Sequence, residues 1–170
     1  ALAEEARGPA LPYDFRRPDR ISKDQIRSLH LLHDRFARNV TTSLGAFLRT
    51  SVELFVTTVE QFSYSEFLMS LPDPTAYYGI GIQKFDALGA LELNPSVAFT
   101  IVDRMLGGAG RGSAPDRALS EIEQAVIDAV VKLVLEHLSE TWAGVIDTKF
   151  SIQGRETRPT MLPIAGRNDI

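Results

Sequence analysis

Cysteine is missing from all 170 residues. That excludes disulfide frameworks, thiolate zinc sites, iron–sulfur clusters and cysteine nucleophiles together. It suits a reducing cytoplasm, although a secreted chain can lack cysteine too. Long apolar runs are missing as well, none approaching the roughly 18 residues needed to cross a bilayer. The first seven residues show neither the basic start nor the apolar stretch of a secretory signal. There is no basic excess: Lys+Arg total 18, Asp+Glu total 22, and the formal net charge is −4. Nucleic-acid binding without a cationic surplus is disfavoured, because phosphate neutralisation supplies the affinity. Histidine is scarce at three residues, which leaves few general bases or metal ligands.

What is present is ordinary for a globular domain: 44% hydrophobic and 24% charged residues. A chain of this length buries enough surface to fold without a metal or disulfide staple. Residues 1–20 hold Gly8, Pro9, Pro12 and Pro18, show no helical or strand period, and read as a tail or linker with zero net charge. Residues 21–170 read as one domain.

Ser22 and Gln25 form a capping box, and Ile26, Leu29, Leu32, Phe36, Val40, Leu44 and Phe47 follow at steps of three and four. The spacing predicts a helix ending near Leu48. Alternation over 52–58 predicts a strand. A short helix is expected over 65–71, stopped by Pro72 and Pro74. Residues 78–84 and 90–93 predict a hairpin with a five-residue loop. Asn94 and Pro95 then open a helix whose apolar face is Val97, Ile101, Val102, Met105 and Leu106, with Gly107 as its stop. Ser120 and Glu123 make a second capping box before a long helix that is apolar on most sides. Alternation over 146–152 predicts a final strand. Capping box, long helix and alternating strand thus recur at an offset of 98 residues, which suggests a pseudo-symmetric α/β domain with helices layered on a sheet.

Four glycines stand within six residues at Gly107, Gly108, Gly110 and Gly112. A phosphate cradle fails on spacing, because Ser113 stands where either a third fingerprint glycine or a Walker lysine would be needed. It fails on context too, since the loop follows a helix rather than a strand. Two readings remain. One is a helix C-cap running into a flexible, solvated linker over 107–118. The other is a short rigid turn exposed for a protein partner, which accounts better for so many glycines. His30, His33 and Asp34 share a helical face, but a metal needs further convergent ligands and none is evident. No cue pairs a Ser, Thr or Lys nucleophile with a base. The Asn39-Val40-Thr41 sequon lies inside a helix, Trp142 reads as core, and Tyr77 and Tyr78 read as partly buried strand residues, with exposure at a sheet edge as the lesser option. The residues alone describe a non-enzymatic α/β domain, without cofactor or metal, carrying one unusual glycine loop.

Several separated motifs carry a more specific signal. They are Tyr13-Asp-Phe-Arg-Arg-Pro-Asp-Arg-Ile-Ser-Lys-Asp-Gln-Ile-Arg27, Leu91-Glu-Leu-Asn-Pro95, Asp103-Arg-Met-Leu-Gly-Gly-Ala-Gly110 and Glu156-Thr-Arg-Pro159. In order and in register, they resemble the middle domain of the flagellar motor switch FliM family. The resemblance implies a pseudo-twofold three-layer α/β/α sandwich like that of the CheC and CheX phosphatases, with Ile170 falling where further strands of the second half would begin. It implies a protein of the flagellar basal body, at the cytoplasmic face of the inner membrane. It also implies a FliG-binding loop at Gly107, Gly108, Ala109 and Gly110, with Arg111 beside it, presenting exposed backbone groups. Neighbouring FliM subunits would pack alongside, while FliN and phospho-CheY would act through regions outside this stretch. The phosphatases' Glu-x-x-Asn pattern is absent, because Glu123 is followed at that spacing by Val126 and Asn39 is preceded by Phe36. A CheC-like phosphatase is therefore only the alternative reading.

Overall fold

Helix α1 (Lys23–Leu48) begins where its capping box puts it. The Gln25 N–H donates to Ser22 Oγ at 3.3 Å, and the Ser22 N–H donates to Gln25 Oε1 at 2.9 Å. The structure, a computed structural model, describes residues 21–112 and 114–166. The tail expected over 1–20 lies outside the described residues. After α1 come α2 (Tyr64–Ser70), β1 (Ala76–Ile82), β2 (Ala87–Leu93), α3 (Pro95–Met105), α4 (Glu121–Trp142), β3 (Phe150–Glu156) and a 3-10 turn at Pro159–Met161.

The sheet has three strands in the order β2-β1-β3, both pairings antiparallel. β1 is central, so both its edges are paired, and its residues 76–81 are buried. Ala76, Tyr78 and Ile80 point into a core filled by Val40, Leu44 and Leu48 of α1, Ile101 and Val102 of α3, and Ile127, Val130, Val131 and Leu135 of α4. On the opposite face Leu162 lies over Gly79 and Gly154, and Tyr64 of α2 accepts the Ile164 N–H at 3.2 Å. Helices α1, α3 and α4 thus form a thick layer, and α2 with the 159–164 segment forms a thin one, with the sheet between them. This is the α/β/α sandwich the sequence implied.

Several boundaries move, and one expected strand is missing. The hairpin turn is residues 83–86, not 85–89, and β2 starts at Ala87. The last strand starts at Phe150 rather than 146, because Trp142 accepts the Val145 and Ile146 N–H groups in a turn that closes α4. No strand forms over 52–58. That stretch is 98 residues ahead of β3, but it joins neither outer edge of the sheet, and both edges of β1 are taken by β2 and β3. Alternation without a paired neighbour makes no ladder. Leu54 and Phe55 are left exposed there, Phe55 by 76%. The face expected on α3 also divides: Ile101 and Val102 enter the core with Ala98, while Val97, Met105 and Leu106 are exposed.

Candidate functional site

α3 runs its last turn from Val102 to Met105, and Leu106 caps it. Gly107 follows with φ of 94°, a left-handed conformation that glycine adopts without strain. The chain then folds back over the helix end. The Gly108 N–H donates to the Asp103 carbonyl at 2.7 Å, and the Gly110 N–H donates to Asp103 Oδ2 at 2.6 Å. Gly110 sits at φ of 68° against the aliphatic stem of Arg104. Of the residues named from the sequence, Gly107, Ala109 and Arg111 are exposed, while Gly108 and Gly110 are half-buried. The loop is therefore braced rather than flexible over 107–110. Two of its backbone N–H groups, those of Gly108 and Gly110, are engaged by Asp103, so these two are not among the backbone groups the loop can present. What it offers outward is the Ala109 and Arg111 side chains and the neighbouring Leu106, 70% exposed. Beside it lies a cavity of about 440 Å³ lined by Phe47, Leu48, Arg49, Arg104, Met105, Gly107 and Gly108.

The far end of the loop is tied down separately. Arg117 forks onto Glu123, with its two guanidinium nitrogens at 2.7 and 2.8 Å from the carboxylate oxygens. Its guanidinium also stands 5.0 Å from the Phe99 ring centre. The same Glu123 closes the Ser120 capping box. The Arg117 hydrogen bonds hold the Glu123 carboxyl well below its ordinary value, at about 2, against the opposing effect of burial.

The other candidates separate. His30 meets Asp34 at 3.1 Å, whereas His33 bonds the Leu29 carbonyl at 2.8 Å and packs edge-on against Trp142. No cluster of three metal-ligating side chains occurs among the described residues. Tyr77 and Tyr78 are buried in β1. Sequence reasoning missed the partners of His137 on α4, whose Nε2 lies 2.7 Å from Ser43 Oγ on α1 and whose Nδ1 lies 3.1 Å from Glu140. The order Ser–His–Glu has the form of a nucleophile relay. Yet Ser43 is inside α1, where the surrounding N–H groups are engaged in the helix and cannot serve as an oxyanion hole. The contact holds two helices together. Asp103 was also missed, and its signal was an acid in the last turn of a helix, where the dipole favours a base.

An α/β/α sandwich that presents a braced glycine loop at one helix end defines the class of domain. A crystal structure of Thermotoga maritima FliY, 15% identical with a TM-score of 0.71 over 81% of this chain and 70% of that one, shares the fold. Residues 22–170 match the family described as flagellar motor switch protein FliM. The FliM of Treponema pallidum is 41% identical over 152 residues, 89% of this chain and 44% of that protein. The Bacillus subtilis FliM is 34% identical over 166 residues, 98% of this chain and 50% of that protein. FliM in the crystal structure of the FliG–FliM complex from H. pylori superposes with a TM-score of 0.84 at 36% identity, covering 87% of this chain and 81% of that one. This chain belongs to the FliM family. It spans about half the length of the curated relatives it matches.

Proposed function

We propose that the chain is a non-enzymatic structural and signalling module of the flagellar motor switch, and that residues 107–111 contact a FliG middle domain. Copies of the domain pack side by side in the ring at the cytoplasmic face of the inner membrane. Phospho-CheY captured elsewhere in the whole protein then reaches FliG as a change in orientation of this rigid unit. The observation that carries the reading is the likeness to H. pylori FliM from the FliG–FliM complex, joined to a loop shaped for contact rather than chemistry. The phosphatase alternative is weakened by the missing Glu-x-x-Asn pattern, since Val126 stands three residues after Glu123.

Calorimetric titration with a FliG middle domain tests this. Ala109→Glu and Arg111→Glu change exposed side chains that brace nothing, so the fold should survive. Saturable binding that both variants abolish at unchanged melting temperature is the expected result. Variants that bind as tightly as the parent would refute the loop as the contact. Gly108→Val is a poor probe, because any side chain there meets Asp103.

A further inference from the structure

Asp103 breaks a local rule. It places a negative charge in the last turn of α3, where the helix already gathers partial negative charge. Such departures mark positions kept for something other than stability. Its surroundings show what that is. The carboxylate lies flat on Gly108: a Cβ built there would stand 2.2 to 2.4 Å from its three atoms. The same carboxylate accepts the Gly110 N–H at 2.6 Å, a short charge-assisted bond. From the other side the loop rests on Arg104, whose Cδ and Cγ would be 2.8 and 2.9 Å from a Cβ on Gly110. Arg104 in turn donates from Nη2 to the Arg49 carbonyl at 3.0 Å, where α1 ends. Two consecutive residues therefore grip opposite sides of one loop.

We propose that Asp103 is the positioning residue of the glycine loop, fixing in advance the shape in which the loop meets its protein partner, while Arg104 ties that shape to the end of α1. The inference rests on the loop being the contact surface. Its physical basis is preorganisation: a loop already ordered gives up less conformational freedom on binding. Asp103 need touch no partner atom to act in this way. Gly108 is required for a matching reason, since only a residue without a side chain lets the carboxylate lie across it.

The test compares the parent chain with Asp103→Ala and Asp103→Asn. Three quantities are read: Gly110 amide exchange, melting temperature, and calorimetric affinity for a FliG middle domain. Asp103→Ala should speed Gly110 exchange and weaken binding about tenfold, the scale of one charge-assisted hydrogen bond. The weakening should come from a less favourable binding entropy. Asp103→Asn keeps an acceptor oxygen and should recover most of both. Unchanged Gly110 exchange in Asp103→Ala overturns the latch. Faster exchange with unchanged affinity overturns its role in recognition. A parent chain that binds no FliG, while Gly110 still responds, removes the partner assignment and leaves the latch in place.

Discussion

The four glycines of the loop should not be equivalent to alanine, and the structure ranks them. Gly107 has open space around its α-carbon but a φ of 94°. Alanine there meets only the left-handed penalty, about 1–2 kcal/mol. At Gly108 the φ is ordinary, but a Cβ would lie 2.2 Å from Asp103 Oδ1. The carboxylate must swing away and release the Gly110 N–H, a loss of about 1–2 kcal/mol for a charge-assisted bond at an exposed site. Gly110 combines both obstacles, with φ of 68° and the Arg104 stem 2.8 Å from the built Cβ. About 2 kcal/mol or more is expected there. Gly112 has no neighbour within 4 Å and no left-handed φ. Alanine at that position should stabilise by up to about 1 kcal/mol by restricting the unfolded chain. Urea unfolding followed by circular dichroism measures all four at constant m-value. The reasoning fails if the four variants lose equal stability, or if Gly112→Ala costs as much as Gly110→Ala. Either result would mean the loop has no fixed shape.

Glu123 gives a pH signature. Its folded pKa of about 2 lies below the ordinary 4.5, so the stability it contributes is present above about pH 4.5 and is lost as pH falls towards 2. Glu123→Gln keeps the capping geometry and should flatten the melting temperature's dependence on pH across that window; an unaltered slope counts against the Arg117 pairing. Tyr78 is held neutral by burial and by its 2.9 Å hydrogen bond to Asp128. Tyr78→Phe should cost about 1–2 kcal/mol in urea unfolding, since Asp128 loses a buried donor. No loss would show that water replaces the hydroxyl.

Capping boxes were the most legible signals. Ser22 and Ser120 each place a helix start to the residue, because a cap is a local arrangement of side chain and backbone. The same rule applied to Ser63 and Glu66 would have put the start of α2 one residue earlier. Strands were harder to read. Alternation reports which faces a segment shows, not whether the fold brings it to a strand edge, and so 52–58 and β3 looked alike while only β3 pairs. The glycine loop stood out in the sequence, but its brace did not. Asp103 is adjacent to Arg104 and precedes the motif by four residues, and nothing in linear spacing says that the chain doubles back onto it. The link from Ser43 to His137 spans 94 residues and depends on how two helices cross.

Asp128 has a mechanical consequence. One oxygen of its carboxylate takes the hydroxyl of Tyr78 from the central strand, and the other takes the guanidinium of Arg155 from the edge strand. Tyr78 and Arg155 are themselves paired across the ladder. A pull along α4 is therefore shared between two strands instead of being relieved by sliding of the helix over the sheet.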